Sequence, residues 1–388
     1  MRYASDRRLR VLHVIQNLNY GGMERLLADL VRCIDADRFE SHVLVLEYFG
    51  RFAEGLDEFA ALHQAAPMSR FSMIWPRALA NQIRAIKPDV VHTHSGVWYK
   101  GSLAARIARV PLVIHTEHGR AVPDPWVARQ VDGLAARRTD YAVAVSSAVA
   151  ELLRERVVRG RCRIEIVLNG VDTAYHAPRP DTGRVRRELG IAADVPVVGS
   201  IGRLERIKGY DIMVEAFARL CSQWTAAPQP VLVLAGEGSE RPRLEQLAAR
   251  LGIQDRVRFL GWRDDVRDLH STFTIFTMSS RSEGTSISLL EAMSAELCPV
   301  VTAVGGNVAV LGDVLRHRLV PPEDPEALAQ AWLSALVDED RRREDGRTAR
   351  RRVVSSFSIE TMVSCYERLY SLAERSSPRT ISSMTGGA

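Results

Sequence analysis

The chain is nearly without lysine. Of its 52 Lys+Arg among 388 residues, only Lys87, Lys100 and Lys208 are lysines. A sequence that elsewhere writes arginine for cation keeps a compact point charge at these positions, and the two side chains are not interchangeable where a phosphate is gripped. Cysteine is also scarce. Cys33, Cys162, Cys221, Cys298 and Cys365 are scattered, odd in number and free of any C-x-x-C pair. That pattern argues against a disulfide framework and a structural zinc site, and suits a reduced, cytoplasmic setting. No apolar run approaches the ~20 residues needed to span a bilayer. Behind the basic segment Met1–Arg10, the apolar piece Val11–Ile15 is too short for a signal-peptide core and reads as a first strand. No G-x-G-x-x-G follows an expected strand, which discounts a dinucleotide-dependent oxidoreductase. Internal repeats and low-complexity blocks are absent as well.

What is present is ordinary in amount and uneven in placement. A hydrophobic content of 46% and a charged content of 26% are those of a globular protein, and the length suits two domains. Residues 1–180 carry 25 Lys+Arg against 19 Asp+Glu, while residues 181–388 carry 27 against 28. A basic first half can face anionic lipid, a phosphorylated acceptor or nucleic acid, or can simply be a solvated arginine-rich surface.

Short β-rich apolar runs alternate with longer helical patterns, the mark of parallel α/β units. Strands are expected at Arg10–Gln16, His42–Leu46, Val90–His94, Leu112–Thr116, Tyr141–Val145 and Ile164–Leu168, with helices such as Gly22–Ile34 and Lys100–Ala108 between them. The polar, proline-containing stretch His176–Arg184 reads as a linker. The pattern restarts with strands at Val195–Ser200, Val231–Ala235, Val257–Leu260, Phe273–Thr277 and Pro299–Thr302. Two such blocks imply two parallel-sheet domains facing across a cleft. Ligands in such sheets sit beyond the carboxyl ends of the strands.

The most telling segment lies there. In Glu283-Gly-Thr-Ser-Ile-Ser-Leu-Leu-Glu291 two carboxylates stand eight residues apart, the first followed by Gly284. On one continuous helix the pair would point about 80° apart. They converge on one ligand only if Glu283 sits on a loop and Glu291 two turns into the following helix. The N–H groups that open such a helix, from Gly284, Thr285 and Ser286, attract phosphate. Carboxylates on either side of a phosphate site suit hydroxyls at both ends of a diphosphate, as in a nucleotide sugar.

This segment resembles the E-x7-E motif of retaining glycosyltransferases of family 4, and Gly202-Arg-Leu-Glu-Arg-Ile-Lys-Gly209 resembles that family's G-R-L-x-x-x-K-G loop. The resemblance runs from Arg10 to about Tyr370 and includes Asn169-Gly-Val-Asp172. It implies a GT-B fold, with two Rossmann-like domains and a last helix (Ile359–Ala373) crossing back onto the first. Expected bounds are 1–178 for an acceptor domain, 179–358 for a donor domain, 359–375 for the crossover and 376–388 for a disordered tail. Gly202, Arg203 and Lys208 would hold the donor diphosphate with Gly284, Thr285 and Ser286. Glu291 would hold the ribose, Glu283 the hexose, and His118 would stand beside the sugar and the reacting phosphate. The glycine pair Gly21-Gly22 would meet acceptor and phosphates. The implied donor is a UDP- or GDP-linked sugar used without metal or other cofactor. The acceptor would be a glycan, a lipid-linked carrier or a small molecule, with no nucleic acid partner and with peripheral contact at the cytoplasmic membrane face as an option. Leu18-Asn-Tyr-Gly-Gly-Met-Glu-Arg25 is similar to members from bacterial surface-polysaccharide clusters. Two places depart from the pattern: Leu297, where a glycine usually precedes the strand, and Gly305-Gly306, which lacks the usual acidic follower. The alternatives are a nucleotide-sugar epimerase or phosphorylase on the same frame, a natural-product glycosyltransferase, or a basic binding protein for RNA or anionic membrane.

His92 and His94, two apart on one strand, point to one face and make a metal pair, but spacing offers no third ligand. Asp264-Asp265 reads as a helix opening at Val266 rather than a metal bridge. Trp98, Tyr99 and Trp126 are placed in post-strand loops, as sugar-stacking, membrane-interface or core residues.

Overall fold

Two runs of strands, the inner ones rich in valine and leucine and buried on both faces, build two separate parallel sheets. The structure is a computed structural model and describes residues 7–19, 21–67, 75–119 and 125–376. The first sheet comprises β1 (Leu9–Ile15), β2 (Phe39–Val45), β3 (Ala60–Gln64), β4 (Val90–His94), β5 (Leu112–Glu117), β6 (Tyr141–Ala144) and β7 (Arg163–Ile166), in the order β3-β2-β1-β4-β5-β6-β7. The second comprises β8 (Val197–Ile201), β9 (Val231–Ala235), β10 (Val257–Gly261), β11 (Ile275–Met278), β12 (Cys298–Thr302) and β13 (Leu319–Val320), in the order β10-β9-β8-β11-β12-β13. This is the GT-B architecture expected above. Strand order reverses beside β1 in one sheet and beside β8 in the other, which puts crevices at the carboxyl ends of β1/β4 and β8/β11.

Two strands escaped the sequence reading. Both lie at sheet edges: β3, which beyond the buried Ala60 is partly or fully exposed, and β13, two residues long. An edge strand pairs on one side only and needs no continuous apolar run. Trp98 and Tyr99 open the helix Trp98–Ile107 rather than lying in a loop, and Trp98 is buried. Its ring stacks on His115 with centroids 4.0 Å apart, and its indole N–H donates to Thr139 Oγ1 at 2.8 Å.

The chain crosses between the sheets twice, and the crossings hold each other. Val171 N–H donates to Phe357 O, and Ile359 N–H to Val171 O, both at 2.9 Å. The stretch from Ala177 to Gly183 carries neither helix nor strand. Beyond the second crossing, Ser358 caps the helix Ile359–Tyr370 by accepting from Thr361 N–H. Ile359, Met362, Val363, Tyr366, Leu369 and Tyr370 form its buried stripe, packed on Val11, Val90, Leu112, Ile114 and Val143 of the first sheet. The carboxy-terminal helix thus returns to the first domain. Of the tail expected at 376–388, all but Ser376 lies outside the described residues. Among the described residues no helix is long and apolar enough to cross a membrane.

Tyr366 is fully buried in that seam, with its hydroxyl 3.1 Å from Thr116 Oγ1. Replacement by alanine is expected to destabilise the protein by roughly 3–5 kcal/mol in urea unfolding. A loss below about 1 kcal/mol would show that the returning helix is dispensable to the fold.

Candidate active site

The loops at the carboxyl ends of β8 and β11 meet through an ion pair. Lys208 Nζ lies 2.6 Å from Glu283 Oε1, and Ser280 Oγ donates to the same oxygen at 2.6 Å. Glu283 is therefore not the cap of the helix that follows. The helix Ile287–Ser294 has Ser286 at its N-cap position without a side-chain capping bond. Its first N–H groups are left for an anion. Arg203 stands exposed on the β8 loop.

The β11 loop is locked to the first domain. Thr285 Oγ1 donates to Val145 O at 2.6 Å, and Asn169 Nδ2 donates to Thr285 O at 2.9 Å. The hydroxyl of Thr285 is thus occupied in joining the domains, which leaves its N–H as the part able to serve a ligand. Gly284 faces the backbone carbonyl of His118, and a Cβ on it would collide with that oxygen. Gly306 presses in the same way on the carbonyl of Gly284. The pair Gly305-Gly306 is required by this stacking of loop on loop, with or without an acidic residue after it.

From the first domain, Gly21 precedes the helix Gly22–Cys33. Glu24 of its first turn folds its carboxylate back over Gly21, occupying the space of a Cβ there. Burial pushes the Glu24 carboxyl up, and the Arg203 charge on the opposite loop pulls it down. Gly22 lies against Ile287 of the β11 helix. The β1 loop, the β8 loop and the β11 loop thus face one another across one cleft.

His118 sits in the same place, at the end of β5. Its Nε2 is 3.2 Å from His94 Nδ1, and its N–H reaches Ser95 Oγ at 3.4 Å. Burial pulls its pKa down to about 4, so it is a neutral hydrogen-bonding group near pH 7. The structure supplies the third histidine that spacing did not: His13 on β1 gathers with His92 and His94. Asp264 and Asp265 are ion-paired, Asp264 to Arg51 and Asp265 to Arg263 and Arg184, just before the helix Val266–Thr272. Trp126 opens the helix Trp126–Ala136 and is 65% exposed.

Glu291 occupies different surroundings from Glu283. It is buried on the β11 helix, with Arg25 Nε at 3.6 Å and His176 Nε2 at 3.4 Å. Among the described residues the two acids share no ion-pair or hydrogen-bond partner. The eight-residue spacing therefore produces one acid at the loop and one beneath it, against the first helix and the crossing segment. Sequence reasoning missed Glu24, Arg25, His176 and Ser280 as members of this constellation. Glu24 and Arg25 stood inside the glycine-loop motif, while nothing local marks His176, which reaches Glu291 only through the crossing of the chain.

Burial pushes the Glu291 carboxyl up to about 7, against the pull of Arg25. The folded protein then holds a proton that the unfolded chain loses near its ordinary carboxylate range. Stability from this group is present below about pH 4.5 and is lost as pH rises to about 7, a swing of roughly 3 kcal/mol. Glu291→Gln stays neutral and avoids that loss. Its melting temperature relative to wild type is expected to be higher at pH 8 than at pH 5. An equal difference at both pH values would contradict a raised carboxyl.

Residues 20–175 match the family Glycosyltransferase Family 4, and residues 181–352 match Glycosyl transferases group 1. The chain is 34% identical over 301 residues to alpha-maltose-1-phosphate synthase of Mycolicibacterium smegmatis, covering 69% of this chain and 75% of that protein. It is 29% identical over 275 residues to the D-inositol 3-phosphate glycosyltransferase of Corynebacterium urealyticum, where it spans 64% of the relative and 66% of itself. Among solved structures, Anabaena HepE in complex with UDP and glucose superposes with a TM-score of 0.82 at 22% identity, over 94% of this chain and 100% of that one. Two matched halves, the shared fold and a relative above 30% identity agree: the chain belongs to the family 4 glycosyltransferases.

Proposed function

We propose that this glycosyltransferase moves a hexose-type sugar from a UDP- or GDP-linked donor to a hydroxyl acceptor with retention at the anomeric carbon. The observation that carries the reading is the Lys208–Glu283 pair at 2.6 Å, beside an uncapped helix start and on the loop whose Gly284 packs against the His118 carbonyl. A diphosphate supplies the anion that Lys208 lacks when Glu283 turns to a sugar hydroxyl. Arg203 and the N–H groups of Gly284, Thr285 and Ser286 add positive potential where charge develops on the leaving phosphate, commonly the largest catalytic contribution. With Gly202, these groups neutralise the diphosphate without a metal. Glu291 serves the ribose from beneath the loop. The acceptor hydroxyl attacks from the face of the departing phosphate, which takes up its proton.

In this reading residues 1–178 bind the acceptor, with Gly21 and Gly22 at its entry. Residues 179–358 bind the donor, and 359–375 fix the two together. The acceptor class is a glycan, a lipid-linked carrier or a small molecule, with surface-polysaccharide synthesis as the leading role. The basic balance of residues 1–180 suits peripheral contact with an anionic membrane face. UDP beside glucose in the HepE complex supports a uridine donor first.

Lys208→Ala is expected to lower sugar transfer by roughly 100- to 1,000-fold, and to abolish the rise in melting temperature that UDP gives the wild type. Wild-type turnover in this variant would overturn the assignment. A chelator such as EDTA should leave transfer unchanged. Loss of activity restored by added magnesium or manganese would show that cations from the chain do not suffice.

A further inference from the structure

Three imidazoles run in line from the cleft into the first sheet. His118 Nε2 stands 3.2 Å from His94 Nδ1, and His94 Nε2 stands 3.2 Å from His13 Nδ1. The outer nitrogen of His13, Nε2, is buried and has no hydrogen-bond partner among the described residues. The row is packed among apolar residues and rings, with His92 at 4.1 Å from His94 and Tyr370 at 6.1 Å from His13 between centroids. A proton added to any member would be a buried, uncompensated charge. Burial accordingly holds His13 down to about 3 and His94 well below the usual histidine range.

A neutral imidazole has one N–H and one lone pair. Each nitrogen–nitrogen contact uses one of each, so the state of one ring sets the other two. Only two arrangements complete both contacts. In the first, His13 donates from Nδ1, His94 donates from Nδ1, and the orphan at His13 Nε2 is a lone pair. In the second every bond is reversed, and the orphan is a buried N–H. An unmet buried group of either kind carries a desolvation penalty, but buried N–H groups without acceptors are rarer in proteins than under-used acceptors. The first arrangement is favoured, and it ends with His118 accepting at Nε2 and carrying its hydrogen on Nδ1.

We infer that His13 and His94 are positioning residues that lock His118 in its Nδ1–H form, so that it meets the sugar–phosphate as a hydrogen-bond donor and not as a base. This rests on the reading above only in naming what lies in the cleft. A metal centre is the rival use of the cluster, since one nitrogen each from His13, His92 and His94 lie within 4.8 Å of one another. Both nitrogens of His92 are already bonded, to Tyr370 Oη and Thr116 Oγ1 at 2.7 Å each. Both nitrogens of His94 are taken by its neighbours in the row. An ion would have to displace these bonds.

The test is nitrogen NMR on ligand-free wild-type protein labelled with 15N in its histidine rings. The expected pattern is an unprotonated Nε2 and a protonated Nδ1 on His118, with an unprotonated Nε2 on His13. A protonated His118 Nε2 overturns the inference, as does one equivalent of zinc that binds and shifts the three rings of the cluster. Neither readout depends on sugar transfer, so failure here is separable from failure of the functional reading. In turnover, His13→Phe removes the first donor and should lower kcat roughly tenfold or more, with KM within about twofold. His13→Asn, whose amide N–H can replace Nδ1–H, should recover most of that loss. Equal rates in the two variants would overturn the positioning role.

Discussion

The cleft is organised by one ion pair. Lys208 and Glu283 come from loops 75 residues apart and meet at 2.6 Å with Ser280 as the third member. Together the two loops bring a cation, a carboxylate and an uncapped helix start to one cleft. In the proposed function the pair is a placeholder, each partner satisfying the other until an anionic, hydroxyl-bearing ligand replaces the contact. Its position follows from topology, since both loops leave adjacent strands, β8 and β11, at the point where strand order reverses.

The first domain is fixed to that pair by contacts that permit no side chain. Gly284 lies on the His118 carbonyl and Gly306 on the Gly284 carbonyl. Thr285 is bonded to Val145 and Asn169, and the two crossings of the chain are hydrogen-bonded to each other. These bonds set where His118 stands relative to the loop. A neutral His118 and an acid of raised pKa at Glu291 then follow from the same dry interior, which disfavours charge on either.

Much of this was legible in the sequence where one residue's role is decided by its neighbours in the chain. Strand β9 falls at the expected residues because its apolar run is unbroken, and β4 because the β-branched pair Val90-Val91 opens a segment buried along its whole length. The β8 and β11 loops follow from glycine and charge at set spacing. What was hidden depends on contacts between distant segments. Trp98 looked like a loop aromatic because its partners, His115 and Thr139, lie on other elements. The His92/His94 pair seemed to lack a third member because His13 comes from the neighbouring strand, 79 residues before His92. That Glu291 stands beside Arg25 and His176 was hidden in the same way, because those partners come from the first helix and the crossing segment.

The most direct measurement of the central claim is an experimental structure with UDP bound. The account predicts the β-phosphate at Lys208 Nζ and the start of the helix Ile287–Ser294, with the Lys208–Glu283 contact opened and the Glu283 carboxylate turned into the cleft. UDP bound elsewhere while that ion pair stays closed would contradict it.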